Sequence, residues 1–345
     1  MEKYITNQHK FYTLDYYLKE TFNSKVFKVA LNGDFTCPNR DGTISYNGCI
    51  FCSPSGSGDF AGERGKPLKE QFDTVKDIIH QKWPNAKYIA YFQANTNTYK
   101  EINALKSIYE EAINLNPNIV CLSIATRPDT ITDECYEYLG QLNQKIKLWV
   151  ELGFQTSNES TAKLINRGYN NNVLDNAVKR LRDMNIEVIV HIINGLPNET
   201  MIDMYNTINY LNRLDINGIK IHSLFVLKGT KLGEMYENNQ FKCLTLDEYV
   251  KITSNQLAML KPNIVIHRIN GDAPRNLLIA PVWSLKKLVV MNEIDKFMKI
   301  NNLYQGINYK GWAKAHPLLF TIIVFLMIIV LFLLFRFKST LIFFR

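Results

Sequence analysis

The passage Val120-Cys-Leu-Ser-Ile-Ala-Thr-Arg127, then a helical stretch over 132–143, then Leu148-Trp-Val-Glu-Leu-Gly-Phe-Gln155 decides the fold. Each apolar run has strand length, and the segment between them has helical periodicity, so the passage reads as one β–α–β unit. The alternation continues in both directions. Upstream lie strand-like Lys25-Val-Phe-Lys-Val-Ala-Leu31 and Lys87–Gln93, with helical stretches at 68–82 and 99–115. Downstream lie strand-like Glu187–Asn194 and Gly218–Val226, with helical stretches at 159–166, 171–184, 200–213 and 246–260. Six β units, each followed by a helix, imply parallel strands joined by right-handed crossovers. They predict an α/β fold, a partial (β/α)6 barrel of the TIM type open on one side, with a doubly wound open sheet as the alternative. The expected plan is an N-terminal flap over 1–24, the barrel over 25–260, a C-terminal extension over 261–306, and a linker with a hydrophobic tail over 307–345.

A chain of 345 residues with 46% hydrophobic content can fill such a core. The formal charge of +8 is not a nucleic-acid footprint. Five basic residues and no acidic ones follow Gly306 (Lys310, Lys314, Arg336, Lys338, Arg345), which leaves about +3 for the body and no long basic run. Six cysteines without a signal peptide point to a reducing cytosol rather than a disulfide framework.

Three of those cysteines fall within sixteen residues beyond the first strand, in Cys37-Pro-Asn-Arg-Asp-Gly-Thr-Ile-Ser-Tyr-Asn-Gly-Cys49-Ile-Phe-Cys52. Asp34, Pro38, Asp41, Gly42, Asn47 and Gly48 are turn formers, so the segment is a loop. Buried apolar cysteines are out of place there, and the spacing favours a metal site. A closed structural zinc site wants four ligands, and the nearest downstream histidine, His80, lies in a helical stretch. A cubane iron–sulfur cluster held by three cysteines leaves one iron open. The spacing therefore favours iron–sulfur over zinc, and a non-catalytic zinc or iron–sulfur module is the rival to an enzyme. Cys121, Cys135 and Cys243, isolated at long spacings, read as structural thiols.

Cys37-Pro-Asn-Arg-Asp-Gly, Gly48-Cys49 and Phe51-Cys52 together resemble the cluster loop of radical S-adenosylmethionine (SAM) enzymes, in particular the YhcC-type subfamily. That subfamily is similar to the elongator catalytic-subunit and coproporphyrinogen dehydrogenase branches. Phe51, the aromatic before the last cysteine, fits the superfamily habit. The gap from Cys37 to Cys49 is longer than the commonest three-residue gap but fits this branch. The resemblance covers about residues 3–306. It implies a 4Fe–4S cluster on Cys37, Cys49 and Cys52 whose open iron chelates SAM. It further implies a one-electron donor of flavodoxin or ferredoxin type, and a 5′-deoxyadenosyl radical that abstracts hydrogen from a substrate the residues do not name. Related branches act on tRNA, porphyrinogens and small metabolites. No appended RNA-binding or acetyltransferase domain and no second cysteine cluster is visible, so tRNA is a candidate but not the favoured one.

In parallel α/β folds the chemistry gathers at the C-terminal ends of the strands. After the second strand, Phe92-Gln-Ala-Asn-Thr-Asn-Thr-Tyr99 departs from the Gly-Gly-Glu-like element that in many radical SAM proteins contacts the SAM amino group. Gln93 and Thr96 remain as candidates, against a simple capping role for Asn95, Thr96 or Asn97 at a helix near Tyr99. Arg127, in Thr126-Arg-Pro-Asp129, is suited to clamp a carboxylate or phosphate, or else to pair with Asp129. Glu151 and Gln155 lie four apart on one strand and so share a face, where an acid and an amide are costly unless paired or ligand-bound. In relatives this element contacts the ribose and methionine groups of SAM. Arg167 is a partner for the SAM carboxylate, or a helix C-terminal cation. Gly195-Leu-Pro-Asn-Glu199-Thr200 resembles the superfamily's adenine-binding turn, with the backbone near Gly195 meeting the base. His191 and His222 read as hydrogen-bonded core residues before catalysts. Lys228 and Thr230 are placed at a substrate opening, and the polar run Val265–Arg275 is read as a substrate contact or a lid of ion-paired loops.

From His316-Pro317 the composition changes. Leu318–Phe335 is eighteen residues with only Thr321 polar, long enough to span a bilayer as a helix. The resemblance stops before it, so it reads as an appended membrane anchor, or as a disturbed reading frame. Three basic residues follow the span and two precede it, which by the positive-inside bias favours a cytosolic C-terminus. The oxygen-sensitive cluster argues the other way, and the expectation is a cytoplasmic catalytic domain anchored by residues 318–335.

Overall fold

The computed structural model describes residues 3–6, 8–56 and 58–310. A single compact unit extends to Ile307. The helices in chain order are α1 (Leu14–Phe22), α2 (Leu68–Lys82), α3 (Ile102–Asn114), α4 (Asp133–Lys145) and α5 (Glu159–Leu164). They continue as α6 (Asn171–Asp183), α7 (Met201–Leu211), α8 (Lys231–Glu237), α9 (Leu246–Met259) and α10 (Lys287–Ile300). The strands are β1 (Val26–Leu31), β2 (Lys87–Phe92), β3 (Ile119–Thr126), β4 (Lys147–Gln155) and β5 (Glu187–Asn194). After them come β6 (Gly218–Ser223), β7 (Val226–Leu227), β8 (Val265–Arg268) and β9 (Leu278–Ala280).

The main sheet is parallel with order β1-β2-β3-β4-β5-β6-β8, so it holds seven strands where six were expected. The seventh, β8, comes from the segment read as a polar lid. The strand expected over Gly218–Val226 is split. β6 ends at Ser223, and β7 pairs antiparallel with β9 in a separate two-stranded sheet.

The sheet is curled into a half-barrel. Lys220 on β6 donates a 3.0 Å hydrogen bond to the Tyr91 hydroxyl on β2. Four strand spacings of about 4.8 Å would separate those strands in a flat sheet, too far for these side chains to bridge from parallel directions. Along each strand, alternation sets the inward residues in layers. The lowest layer is apolar: Val26, Ile89, Cys121, Trp149 and Ile189 pack with Leu18 of α1. α1 starts at a sound N-cap, where Thr13 accepts from the Tyr16 N–H, and its Tyr17 hydroxyl bonds the Glu187 carboxylate at the start of β5. The helix therefore closes the N-terminal ends of the strands. The larger core cluster lies on the other face of the sheet, against α2, α3, α4, α6, α7, α9 and α10.

α3 begins at Ile102 behind Glu101 without a side-chain cap, so the capping role weighed for Asn95, Thr96 or Asn97 is not the one observed. Thr98 instead bonds Thr126 (2.6 Å) and Thr130 (2.8 Å), tying this loop to the end of β3. Among the described residues no helix is long and apolar enough to cross a membrane. The span read over Leu318–Phe335 lies outside the described residues.

Candidate active site

The cysteine loop follows β1 and is stitched to the α5–α6 connection. Asn39 donates from Nδ2 to the Asn166 carbonyl (2.6 Å), and Asn166 returns a bond to the Gly48 carbonyl (2.7 Å). Gly48 has φ +67°, a left-handed conformation that lets the chain reverse directly before Cys49. Arg40 braces the other side through the carbonyls of Pro54 (2.9 Å) and Cys52 (3.1 Å). These bonds fix a loop whose sequence is otherwise all turns.

The loop opens onto a cavity of about 270 Å³ at the C-terminal ends of the strands, and Cys37, Cys49 and Cys52 all line it. Phe51, Gln93, Thr96, Arg127, Glu151, Gln155, Arg167, His191 and His222 line the same cavity, so the fold brings together most of the residues singled out in the sequence. Lys228 and Thr230, expected at a substrate opening, do not line it, and neither does Gly195. Its φ of +89° permits the turn after β5, but it packs against Leu244 rather than lining the cavity.

The three thiols are half-buried, and they feel one another. Burial, then the neighbouring Cys52, pushes the Cys49 thiol up to about 12, with Arg127 and the Asn39 amide opposing. Thiols in this condition are stabilised as ligands by a shared cation, which deprotonates them outright. Among the described residues no three His, Cys, Asp or Glu side chains converge as the ligand set of a single metal ion. Three thiols facing one cavity are the donor set that a multinuclear iron–sulfur cluster with one open iron would take.

The candidates differ in how their polar atoms are used. Arg127 makes a two-pronged pair with Asp129, Nε to Oδ1 at 3.0 Å and Nη2 to Oδ2 at 2.7 Å, and lies over the Tyr169 ring. The ion pair weighed as the alternative to a clamp is therefore present. Arg167 is 1% exposed, and all its donor groups bond to protein. They reach the carbonyls of Tyr169, Phe154 and Thr156, the Glu159 carboxylate and the Asn171 amide oxygen. The guanidinium thus pins the turn after β4, with nothing left to offer the SAM carboxylate. Gln155 sits at a register shift at the end of β4 with φ +67°.

Glu151 is fully buried at the cavity floor. Its Oε1 accepts from Lys28 (2.8 Å) and Ser123 (2.7 Å), and its Oε2 meets His191 (2.8 Å) and Lys220. Burial alone would raise its pKa. The lysines, Lys220 foremost, outweigh burial and hold the carboxyl well below its usual range. Lys28 and Lys220 both approach the Tyr91 ring, at 4.7 and 4.6 Å. None of Lys28, Tyr91 and Lys220 was singled out in the sequence, whereas Arg268 belongs to the polar run Val265–Arg275. The signal was available: Phe27-Lys28-Val29 and Ile219-Lys220-Ile221 each put a cation at an inward position of an apolar strand, the same anomaly that marked Glu151.

Comparison with known proteins agrees with this geometry. Residues 42–211 match the Radical SAM superfamily model, and residues 216–300 match the Radical SAM C-terminal domain. The chain is similar to the protein YtqA of Bacillus subtilis (strain 168), 46% identical over 303 residues that cover 88% of this chain and 94% of that protein. It is also similar to the protein YhcC of Escherichia coli (strain K12), 32% identical over 296 residues covering 86% and 94%. Among solved structures, Elp3 of the archaeon Methanocaldococcus infernus with an N-terminal deletion superposes with TM-score 0.62 at 19% identity, covering 82% of this chain and 64% of that one. That likeness is one of fold. The loop thiols, the curled parallel sheet and these matches place the chain in the radical SAM superfamily of enzymes, in its YhcC-type branch.

Proposed function

We propose that Cys37, Cys49 and Cys52 hold a 4Fe–4S cluster and that SAM binds in the cavity beside it. The observation that supports this most is the convergence of three half-buried thiols on a cavity that also receives Gln93 and Gln155 from strand ends. Held by Cys37, Cys49 and Cys52, the cluster would supply the one-electron reduction that splits the SAM sulfonium into methionine and a 5′-deoxyadenosyl radical able to abstract hydrogen from the substrate. The electron is supplied by a one-electron donor of flavodoxin or ferredoxin type.

The chain's own residues bind, orient and exclude water. Phe51 gives the cavity an apolar wall next to Cys52, while Gln93 and Gln155 bring amide groups that serve either donors or acceptors on SAM. Arg127 and Arg167 act at one remove, by fixing the loops around the mouth. Glu151 orders the floor by holding Lys28, Lys220 and His191 together. The test is anaerobic reconstitution with iron and sulfide, followed by reduction with dithionite in the presence of SAM. Absorption near ~400 nm that bleaches on reduction, with release of 5′-deoxyadenosine, is the expected result. A colourless protein that takes up zinc and leaves SAM intact would overturn the proposal. Screening cell extracts for a component that accelerates SAM cleavage then gives the substrate.

A further inference from the structure

The side of the cavity walled by β6 and β8 is more basic than SAM requires. Lys220 and Arg268 are register partners on these two strands, and His222, two residues beyond Lys220, falls on the same face of β6. All three line the cavity. Arg268 is 31% exposed and makes no hydrogen bond among the described residues. Its ion partner Asp272 stands 3.7 Å away and is nearer to Lys287, at 3.0 Å. The Nε2 of His222 is buried without a hydrogen-bond partner. A half-buried guanidinium held only by a long ion pair stands beside a ring nitrogen that departs from the rule that buried polar groups are satisfied.

The charges point the same way. Glu151 is shared by Lys28 and Lys220, and Asp272 by Arg268 and Lys287, so each carboxylate faces two cations. SAM carries an ammonium, a sulfonium and one carboxylate, so its binding adds positive charge and cannot discharge this surplus. An unbalanced set of cations in a partly desolvated wall is costly unless a ligand anion completes it.

We propose that the β6–β8 wall binds an anionic group of the substrate, a carboxylate or a phosphate, through Arg268 and His222. Lys220 and Lys28 supply charge from behind. The word substrate rests on the radical SAM reading; the anion site does not. Arg268 offers a planar two-donor face to either oxyanion, and His222 supplies a third donor from the adjacent strand.

The test is a thermal melt of the full-length, cluster-bearing protein with saturating SAM and, in a parallel arm, without it. Inorganic phosphate or acetate, at about 20 mM, is compared with chloride at equal ionic strength. A ligand that binds the native state with a millimolar constant raises the midpoint by about 3 °C. The rise should vanish in Arg268→Met, fall in His222→Phe, and persist in Arg268→Lys, which also shows that the site tolerates substitution. Phosphate stabilises proteins in general by exclusion, and the variants separate that effect from binding. A rise with acetate assigns the group as a carboxylate, and a rise with phosphate alone assigns a phosphate. No rise with either anion, or an undiminished rise in Arg268→Met, overturns the proposal. So does a rise that appears only without SAM, since the site would then belong to SAM's own carboxylate. Cluster content and SAM cleavage are read on the same sample. Loss of cleavage with a preserved anion response would sink the enzymatic reading and leave the anion site standing.

Discussion

His191 Nε2 and Glu151 Oε2 stand 2.8 Å apart on the adjacent strands β5 and β4, and that contact is one of four that hold a single buried carboxylate. Removing the acid would leave Lys220, 4% exposed, without its counter-charge. Breaking one side of a buried pair costs about 3–5 kcal/mol, more than the intact pair contributes. Glu151→Ala should therefore lower unfolding free energy in urea by about that amount, and Glu151→Gln by less, because the amide still accepts hydrogen bonds. A variant as stable as the parent would mean that the lysines are neutral in the folded protein.

The cysteines divide into two classes. Cys37→Ala, Cys49→Ala and Cys52→Ala should each abolish stable iron binding, because each removes one of the three thiolates proposed to hold the cluster. Cys121 and Cys135 are buried in apolar packing, and Cys243 packs against a satellite cluster without lining the cavity. Alanine at those positions should leave iron per chain unchanged after anaerobic reconstitution. Full iron in any loop variant would remove that residue from the ligand set.

Two groups titrate with opposite consequences. Burial pushes Glu199 up to about 7, opposed by the Thr156 hydroxyl that donates to it and helped by Asp203. Between about pH 4.5 and 7 the folded acid then holds more protons than the unfolded one, so its contribution to stability is lost as pH rises through that window. Burial, then Lys220, pushes His191 down to about 4 against the pull of Glu151. Between about pH 4 and 6.5 the folded imidazole holds fewer protons than the unfolded one, so its contribution is lost as pH falls. Glu199→Gln removes the first slope and keeps the second. The variant should exceed the parent in stability by about 3 kcal/mol at pH 8 and by less than about 1 kcal/mol at pH 5. Equal stability at both values would place the Glu199 carboxyl in water.

The sequence carried the β–α alternation and the thiols because both are local signals. Glu187–Asn194 was read to the residue, since an apolar strand between two helical stretches leaves little freedom. β8 was missed because it is four residues long and its inward positions, His267 and Arg268, are polar. It therefore looked like loop, although its Arg268 finishes the cavity wall. The floor network was invisible for a different reason. Lys28 and Lys220 are 123 and 69 residues from Glu151, and only curling of the sheet makes them neighbours. Arg167 could be placed near the site from its motif, but its full set of internal partners follows from the turn that it pins.

Gln155 gives the sharpest test of the SAM site, because stability and function should move in opposite directions there. Its φ of +67° is left-handed, a conformation costing a residue with a Cβ roughly 1 kcal/mol and glycine almost nothing. Such strain persists where the surroundings over-determine it, often beside a ligand. Gln155 lines the cavity at the end of β4, the cavity proposed to receive SAM. Gln155→Gly should raise the unfolding free energy by about 1 kcal/mol, provided that the lost side chain packs loosely without ligand. The same change should weaken SAM binding roughly tenfold, the equivalent of one hydrogen bond of about 1.4 kcal/mol. Gln155→Ala should weaken SAM binding as much without the gain in stability, because it keeps the Cβ. If Gln155→Gly bound SAM as tightly as the parent, the side chain would not contact the cofactor, and the strained turn would serve only to end the strand.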